Sequence, residues 1–311
     1  MRRALVLGAT GGMGYSIVNE LSSRGIKVVA FARNKEKLTQ MFKADPNIVI
    51  QSGDVFNRKQ LENVASDVDV IFQAINIPYG DWQSNLIPLN ENVITTAKKV
   101  SAKVAIVDNI YAYGKSNGDK VSETTTKRPN TRKGKLRLDM EKLYKNSGVP
   151  YVIAHFPDFY GPYAENAQLN YMIRQIVAGK KARFIGKQDV LREHIYTLDG
   201  AKAIVELALR EDSYWQCWNI PAYDVITGEE IIKLIRETTG YTKKVGLVTK
   251  NMLRFIGLFN KQMREFVEMQ YLNEDPVVLD GRKFEEHIAP IPKTPYDKGL
   301  KNTINVYKNE V

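Results

Sequence analysis

"LVLGATGGMGYSIVNEL", Leu5 to Leu21, runs from a short apolar stretch through Gly8, Gly11 and Gly14 into a helical pattern on Ile17, Val18 and Leu21. The order strand, glycine turn, helix gives each glycine a task. The first allows the tight turn, the second lets main chain approach a pyrophosphate, and the third lets helix and strand pack closely. The helix N-terminus adds amide donors and partial positive charge. Gly8, Thr10, Gly11, Gly12, Met13 and Gly14 are therefore the candidate dinucleotide loop, against the alternative of a merely tight structural turn.

The pattern repeats outward. "KVVAFA", "NIVIQSGD", "VDVIFQAI", "AKVAIVDN" and, after Pro150, "YVIAHF" read as further buried strands. Helix-like stretches at 34–42, 57–66 and 90–100 separate the earlier ones. Such alternation predicts right-handed βαβ units and an α/β fold: a Rossmann-type, doubly wound parallel sheet. Beyond about 214 the chain turns to aromatics, prolines and short elements. We expect a dinucleotide-binding domain over 1–157, to which 187–213 returns. A smaller mixed α/β substrate domain is expected from 158–186 and 214–311. Asp199 is expected to N-cap the helix "GAKAIVELAL".

Composition narrows the class. The 311 residues are 43% hydrophobic and 26% charged, as in an ordinary globular protein. No apolar run approaches the roughly 18 residues of a spanning helix, so no membrane partner is expected. The apolar run after Arg2 and Arg3 is too short for a signal peptide, and the cytoplasm is the expected compartment. One cysteine, Cys217, excludes an intrachain disulfide and any multi-cysteine metal site, and the three histidines lack ligand spacing. No metal is expected. A net charge of +10 suits an anionic partner. The cationic run "KRPNTRKGKLR", Lys127 to Arg137, lacks the aromatic interleaving and recognition helix of a nucleic-acid reader, so no nucleic acid is expected.

With its G-x-x-G-x-x-G spacing, the chain resembles the extended, NAD-dependent epimerase/dehydratase branch of the short-chain dehydrogenase/reductase superfamily. "GDV" at 53–55, "QAIN" at 73–76, "NVITT" from Asn92, "YAYG" at 111–114, "FPDFYGP" at 156–162 and "REHIYTLDGAKAI" follow in the family's order. The resemblance implies cofactor contacts from Asp54, Val55, Ala74, Ile75, Asn76, Asn92 and Pro157. It implies substrate contacts from Tyr79, Tyr160 and Arg192, and a homodimer. Where NAD-preferring enzymes place an acid to hold the ribose 2′-hydroxyl, this chain has Ala32, then Arg33, with Lys37 one turn on. Two cations and no acid favour NADP, with NAD as the alternative.

One element of the resemblance fails. The family's redox chemistry uses a Tyr-x-x-x-Lys pair on the helix after strand five, and no tyrosine occurs between Tyr113 and Tyr144. Alignment puts Lys133 at the tyrosine position, Arg137 at the lysine position and Asn109 at the serine position. These three and Tyr111 are the candidate catalytic residues. The bland alternative is an exposed helix with Arg137 paired to Glu141. Two functions follow: an epimerase/dehydratase- or reductase-type enzyme with an atypical site acting on a small phosphorylated substrate such as a nucleotide sugar, or a non-catalytic NADP(H) sensor.

Overall fold

The computed structural model describes residues 1–309. Seven strands form one sheet: β1 (Arg3–Leu7), β2 (Lys27–Ala32), β3 (Ile48–Ser52), β4 (Val70–Gln73), β5 (Lys103–Asn109), β6 (Tyr151–Phe156) and β7 (Gln216–Asn219). Their spatial order is β7-β6-β5-β4-β1-β2-β3, and every pairing is parallel. Order reverses between β1 and β4, the switch point where such sheets open a crevice beyond their carboxyl ends.

Helices cover both faces, which is why the inner strands are apolar throughout rather than alternating. Helices α1 (Gly12–Ser23), α2 (Lys35–Phe42) and α7 (Thr197–Leu209) pack with Val6, Val28, Phe72 and Ala154 in one core. Helices α3 (Arg58–Val64), α4 (Trp82–Val100) and α5 (Arg132–Lys145) pack with Leu5, Val29, Ile71 and Ile106 in the other. Asn34, Asn57 and Thr131 cap α2, α3 and α5 through side-chain oxygens.

A third core, around Met172, Ile173, Ile231 and Leu300, holds the smaller domain. It contains α6 (Gln168–Val177), α8 (Gly228–Thr239) and the helix Tyr296–Lys308. Two further short helices, α9 (Lys250–Gly257) and α10 (Lys261–Val267), form a hairpin beside the main domain.

Three expectations need correction. Gln216–Asn219 lies beyond the expected boundary at 214 yet joins the main sheet beside β6. The strand Arg192–Tyr196, expected to return to the main domain, instead pairs with Asp158–Tyr160. Asp199 does not cap α7; the helix begins at Thr197, and the Asp199 carboxylate accepts from the Thr294 amide at 2.6 Å and hydroxyl at 2.8 Å.

Candidate functional site

The glycine loop is built as its spacing predicts. Gly8 has φ +80°, and a Cβ there would lie 2.8 Å from the Ala74 carbonyl oxygen. A Cβ on Gly14 would lie 2.1 Å from the Gly8 oxygen, so helix and turn touch without room for a methyl. Gly11 is the N-cap of α1 and offers no side-chain cap, leaving first-turn amides to an outside acceptor. These features fit a dinucleotide pyrophosphate. Thr10, Gly12 and Met13 share this corner, and Gly12 faces Ala164, to which its Cβ would approach within 2.7 Å.

The remaining cofactor candidates ring the carboxyl end of the sheet. Arg33 follows β2, is exposed and forms no ion pair among the described residues. Lys37 is bonded to Glu165 at 2.7 Å, linking α2 to the loop that covers the glycine turn. The Asp54 carboxylate accepts from the Phe56 amide at 3.0 Å. Asn92 of α4 donates to the Val55 and Phe56 carbonyls at 3.3 Å and accepts from Arg58 at 3.2 Å. Ala74, Ile75 and Asn76 leave β4, with the Ile75 amide bonded to the Gln73 side chain at 2.7 Å. Pro157 directly follows β6.

The catalytic candidates converge, but each is already engaged. Asn109 ends β5, and its side-chain oxygen accepts from the Tyr111 amide at 3.0 Å. The Tyr111 and Tyr79 hydroxyls are 2.6 Å apart. Burial pushes Tyr79 up to about 12 and Tyr111 well above the usual phenol range, so both are neutral donors. A Cβ on Gly134 would lie 2.5 Å from the Tyr111 carbonyl oxygen, so only glycine lets α5 press this close to the strand end.

Lys133 is 2% exposed. Its Nζ lies 2.7 Å from Glu265 and 2.8 Å from Glu268, and 5.3 Å over the Tyr79 ring. That hydrogen bond holds the Glu265 carboxyl below the usual carboxylate range. Arg137 stacks on Trp82 at 4.3 Å and pairs with Asp108 at 3.2 Å. Arg137 Nε and the second Asp108 oxygen are buried without partners, and burial pushes the Asp108 carboxyl up.

The picture of an exposed helix with an Arg137–Glu141 pair is therefore overturned. Glu141 instead meets Lys127 at 2.5 Å and His155 at 3.1 Å. Burial alone would raise its carboxyl, but the His155 hydrogen bond and the Lys127 charge bring it down to about 2. Glu141, His155 and Cys217 place ligand-type atoms within 4.8 Å of one another. The Lys127 ammonium, also 3.0 Å from His155, already stands there as the cation.

The substrate candidates divide. Tyr79 stacks on Phe266 at 6.0 Å, and its hydroxyl meets the Tyr111 hydroxyl. Arg192 is buried, bonded to Asp158 and Asn273. Tyr160 is a correction: its ring packs between Tyr196 at 5.4 Å and Tyr296 at 5.9 Å, with its hydroxyl against Gly299. It is a core residue of the smaller domain. Sequence reasoning missed the segment 261–273, which brings Glu265 and Glu268 to Lys133, Phe266 to Tyr79 and Asn273 to Arg192. An i,i+3 acid pair flanking apolar residues was the available signal, and it is a common one.

Comparison with known proteins agrees with this construction. A family model described as NAD(P)H-binding matches residues 8–183. An uncharacterised chloroplastic protein of Arabidopsis thaliana is 29% identical over 169 residues, 49% of this chain and 57% of that relative. Among solved structures, UDP-glucuronic acid 4-epimerase from Bacillus cereus in complex with NAD superposes with a TM-score of 0.81 at 18% identity, covering 99% of each chain. dTDP-glucose 4,6-dehydratase from Bacillus anthracis in complex with NAD gives 0.79 at 20% identity, covering 99% of this chain and 97% of that one. UDP-glucose 4-epimerase from Thermotoga maritima with UDP-glucose gives 0.79 at 17% identity, covering 99% of each. At such identities the likeness shows a shared fold. With a family match across more than half its length, the chain belongs to the NAD(P)H-binding family, on the architecture of the extended epimerases and dehydratases.

Proposed function

We propose that the chain is an NADP(H)-dependent enzyme of epimerase/dehydratase or reductase type, acting on a small anionic substrate such as a nucleotide sugar. The observation that carries this is the combination of an uncapped glycine-turn helix with an exposed Arg33 just after β2 that has no ion pair among the described residues. Arg33 would hold the 2′-phosphate through a charge-assisted fork. The bound dinucleotide would supply hydride transfer. On the protein side, Lys133 stands in the place of the phenol as proton donor at the substrate oxygen. Glu265 and Glu268 fix its Nζ, and Arg137, held on Trp82, supports the cofactor side of α5. The neutral Tyr79–Tyr111 pair offers one hydroxyl to the substrate. The substrate comparison rests on structural neighbours, one in complex with UDP-glucose and others with NAD.

Titrating NADPH and NADH against the wild type and Arg33→Ala tests the cofactor assignment. NADPH should weaken by about tenfold or more while NADH is unchanged, the worth of one charge-assisted contact. Equal losses for both would reject it. Cofactor absorbance with a panel of nucleotide sugars and simple carbonyls tests catalysis, with Lys133→Ala expected to abolish any turnover.

A second reading, a non-catalytic NADP(H) sensor, is favoured by one observation. Lys133 and Arg192 are already held by the chain's own acidic side chains. Tight NADPH binding with no turnover across the panel would select it.

A further inference from the structure

The hairpin of α9 and α10 carries an exposed apolar surface that includes none of the candidate site residues. Of α9 only Leu253 and Gly257 are buried. A Cβ on Gly257 would lie 2.9 Å from the Arg264 Cα, so the two helices are in close contact there. The opposite side is apolar and open: Phe255 is 67% exposed, Leu258 71% and Phe259 83%, with Met252 and Ile256 exposed alongside. The Phe255 and Phe259 rings lie 6.0 Å apart, forming one projecting tip. Isolated surface hydrophobics need no explanation, but a contiguous cluster of large ones does.

Charge identifies the occupant. From Thr238 through Arg264 the chain has six Lys or Arg and no Asp or Glu. Exposed Arg254, Lys261 and Arg264 lie on the hairpin itself. A second copy of this chain, of net charge +10, would bring like charge against like charge at this face. An aromatic tip with a cationic surround matches an anionic bilayer interface, where rings enter the headgroup boundary and Lys or Arg meet lipid phosphates.

We propose that the α9–α10 hairpin docks the protein peripherally on anionic lipid bilayers, inserting Phe255, Leu258 and Phe259. No helix among the described residues is long and apolar enough to cross a membrane. The docking is thus interfacial, and it revises the expectation of no membrane partner, which rested on spanning segments alone. It does not depend on the cofactor assignment, because its readout is vesicle binding.

Flotation of the full chain tests it, using phosphatidylcholine vesicles with and without phosphatidylglycerol. Wild type should float only with the anionic vesicles, and less in high salt. Phe255→Ser with Phe259→Ser should reduce partitioning by about tenfold or more, as expected when apolar side chains no longer leave water. Arg254→Gln with Lys261→Gln should weaken binding and flatten its salt dependence. Phe56→Ser, at an exposed ring outside the hairpin, should float as wild type. Wild type remaining unbound to anionic vesicles, or the double serine variant floating equally well, would overturn the proposal. So would concentration-dependent dimerisation abolished by the serine pair without any vesicle binding, which would assign the tip to a second copy.

Discussion

Removing both acids that hold Lys133 should destabilise the fold measurably. Lys133 is almost fully buried, and its Nζ has two carboxylates within 2.8 Å. Glu265→Gln with Glu268→Gln leaves the ammonium without a counter-charge, a change that costs about 3–5 kcal/mol at buried pairs. The lower end applies here, because glutamine oxygens still accept hydrogen bonds. About 2.1 cal/mol/K per residue gives roughly 0.65 kcal/mol/K for the chain, so ~3 kcal/mol corresponds to a Tm drop of ~5 °C. Glu265→Gln alone keeps Glu268 and should lower Tm by only ~1–2 °C. Adding Lys133→Met to the double variant removes the stranded charge and should recover most of the loss. Thermal unfolding followed by circular dichroism at neutral pH and low salt reads all four proteins. A double variant within about 1 °C of wild type, or no recovery in the triple, would refute a buried ammonium that depends on these two carboxylates.

Gly14→Ala should abolish NADPH binding or folding, since its methyl would lie 2.1 Å from the Gly8 oxygen; calorimetry and solubility read this out. Burial, countered in part by amide hydrogen bonds from Leu279 and Ala222, pushes the Glu193 carboxyl up to about 7 from an ordinary 4.5. The folded chain therefore holds a proton that the unfolded chain releases. That contribution is complete below about 4.5 and is lost as pH rises through about 7. Urea unfolding should show stability falling over that window, with a flatter slope in Glu193→Gln. Arg137→Met should leave Asp108 buried without a counter-charge and cost a few kcal/mol, about 3. Adding Asp108→Asn should restore much of it, as a double-mutant cycle in chemical denaturation would show.

What was legible in the sequence follows from how local each signal is. Gly8, Gly11 and Gly14 act within one turn, and the strands from β1 to β6 announce themselves as apolar runs, so both were readable. β7 was not: "QCWN" begins with Gln216 and Cys217, a polarity tolerated because it sits at a sheet edge with β6 as its sole partner strand. Lys133 and Arg137 lie one turn apart on α5, the helix their spacing predicts. Their burial was hidden because Glu265 and Glu268 come from more than a hundred residues away in sequence. Tyr160 was misplaced for a related reason. A tyrosine beside "GP" suits a cleft wall, and only the packing of Tyr196 and Tyr296 shows it to be interior.

The short helix bearing Glu265, together with the adjoining Glu268, sets the net charge around Lys133. With both acids seated, Arg132, Lys133 and the two carboxylates sum to zero charge. Replacing both acids with glutamine would leave +2 at this point. Attraction for phosphate would rise with that uncompensated charge, so the ionic-strength dependence of anion association becomes a gauge of how fully the two acids neutralise it.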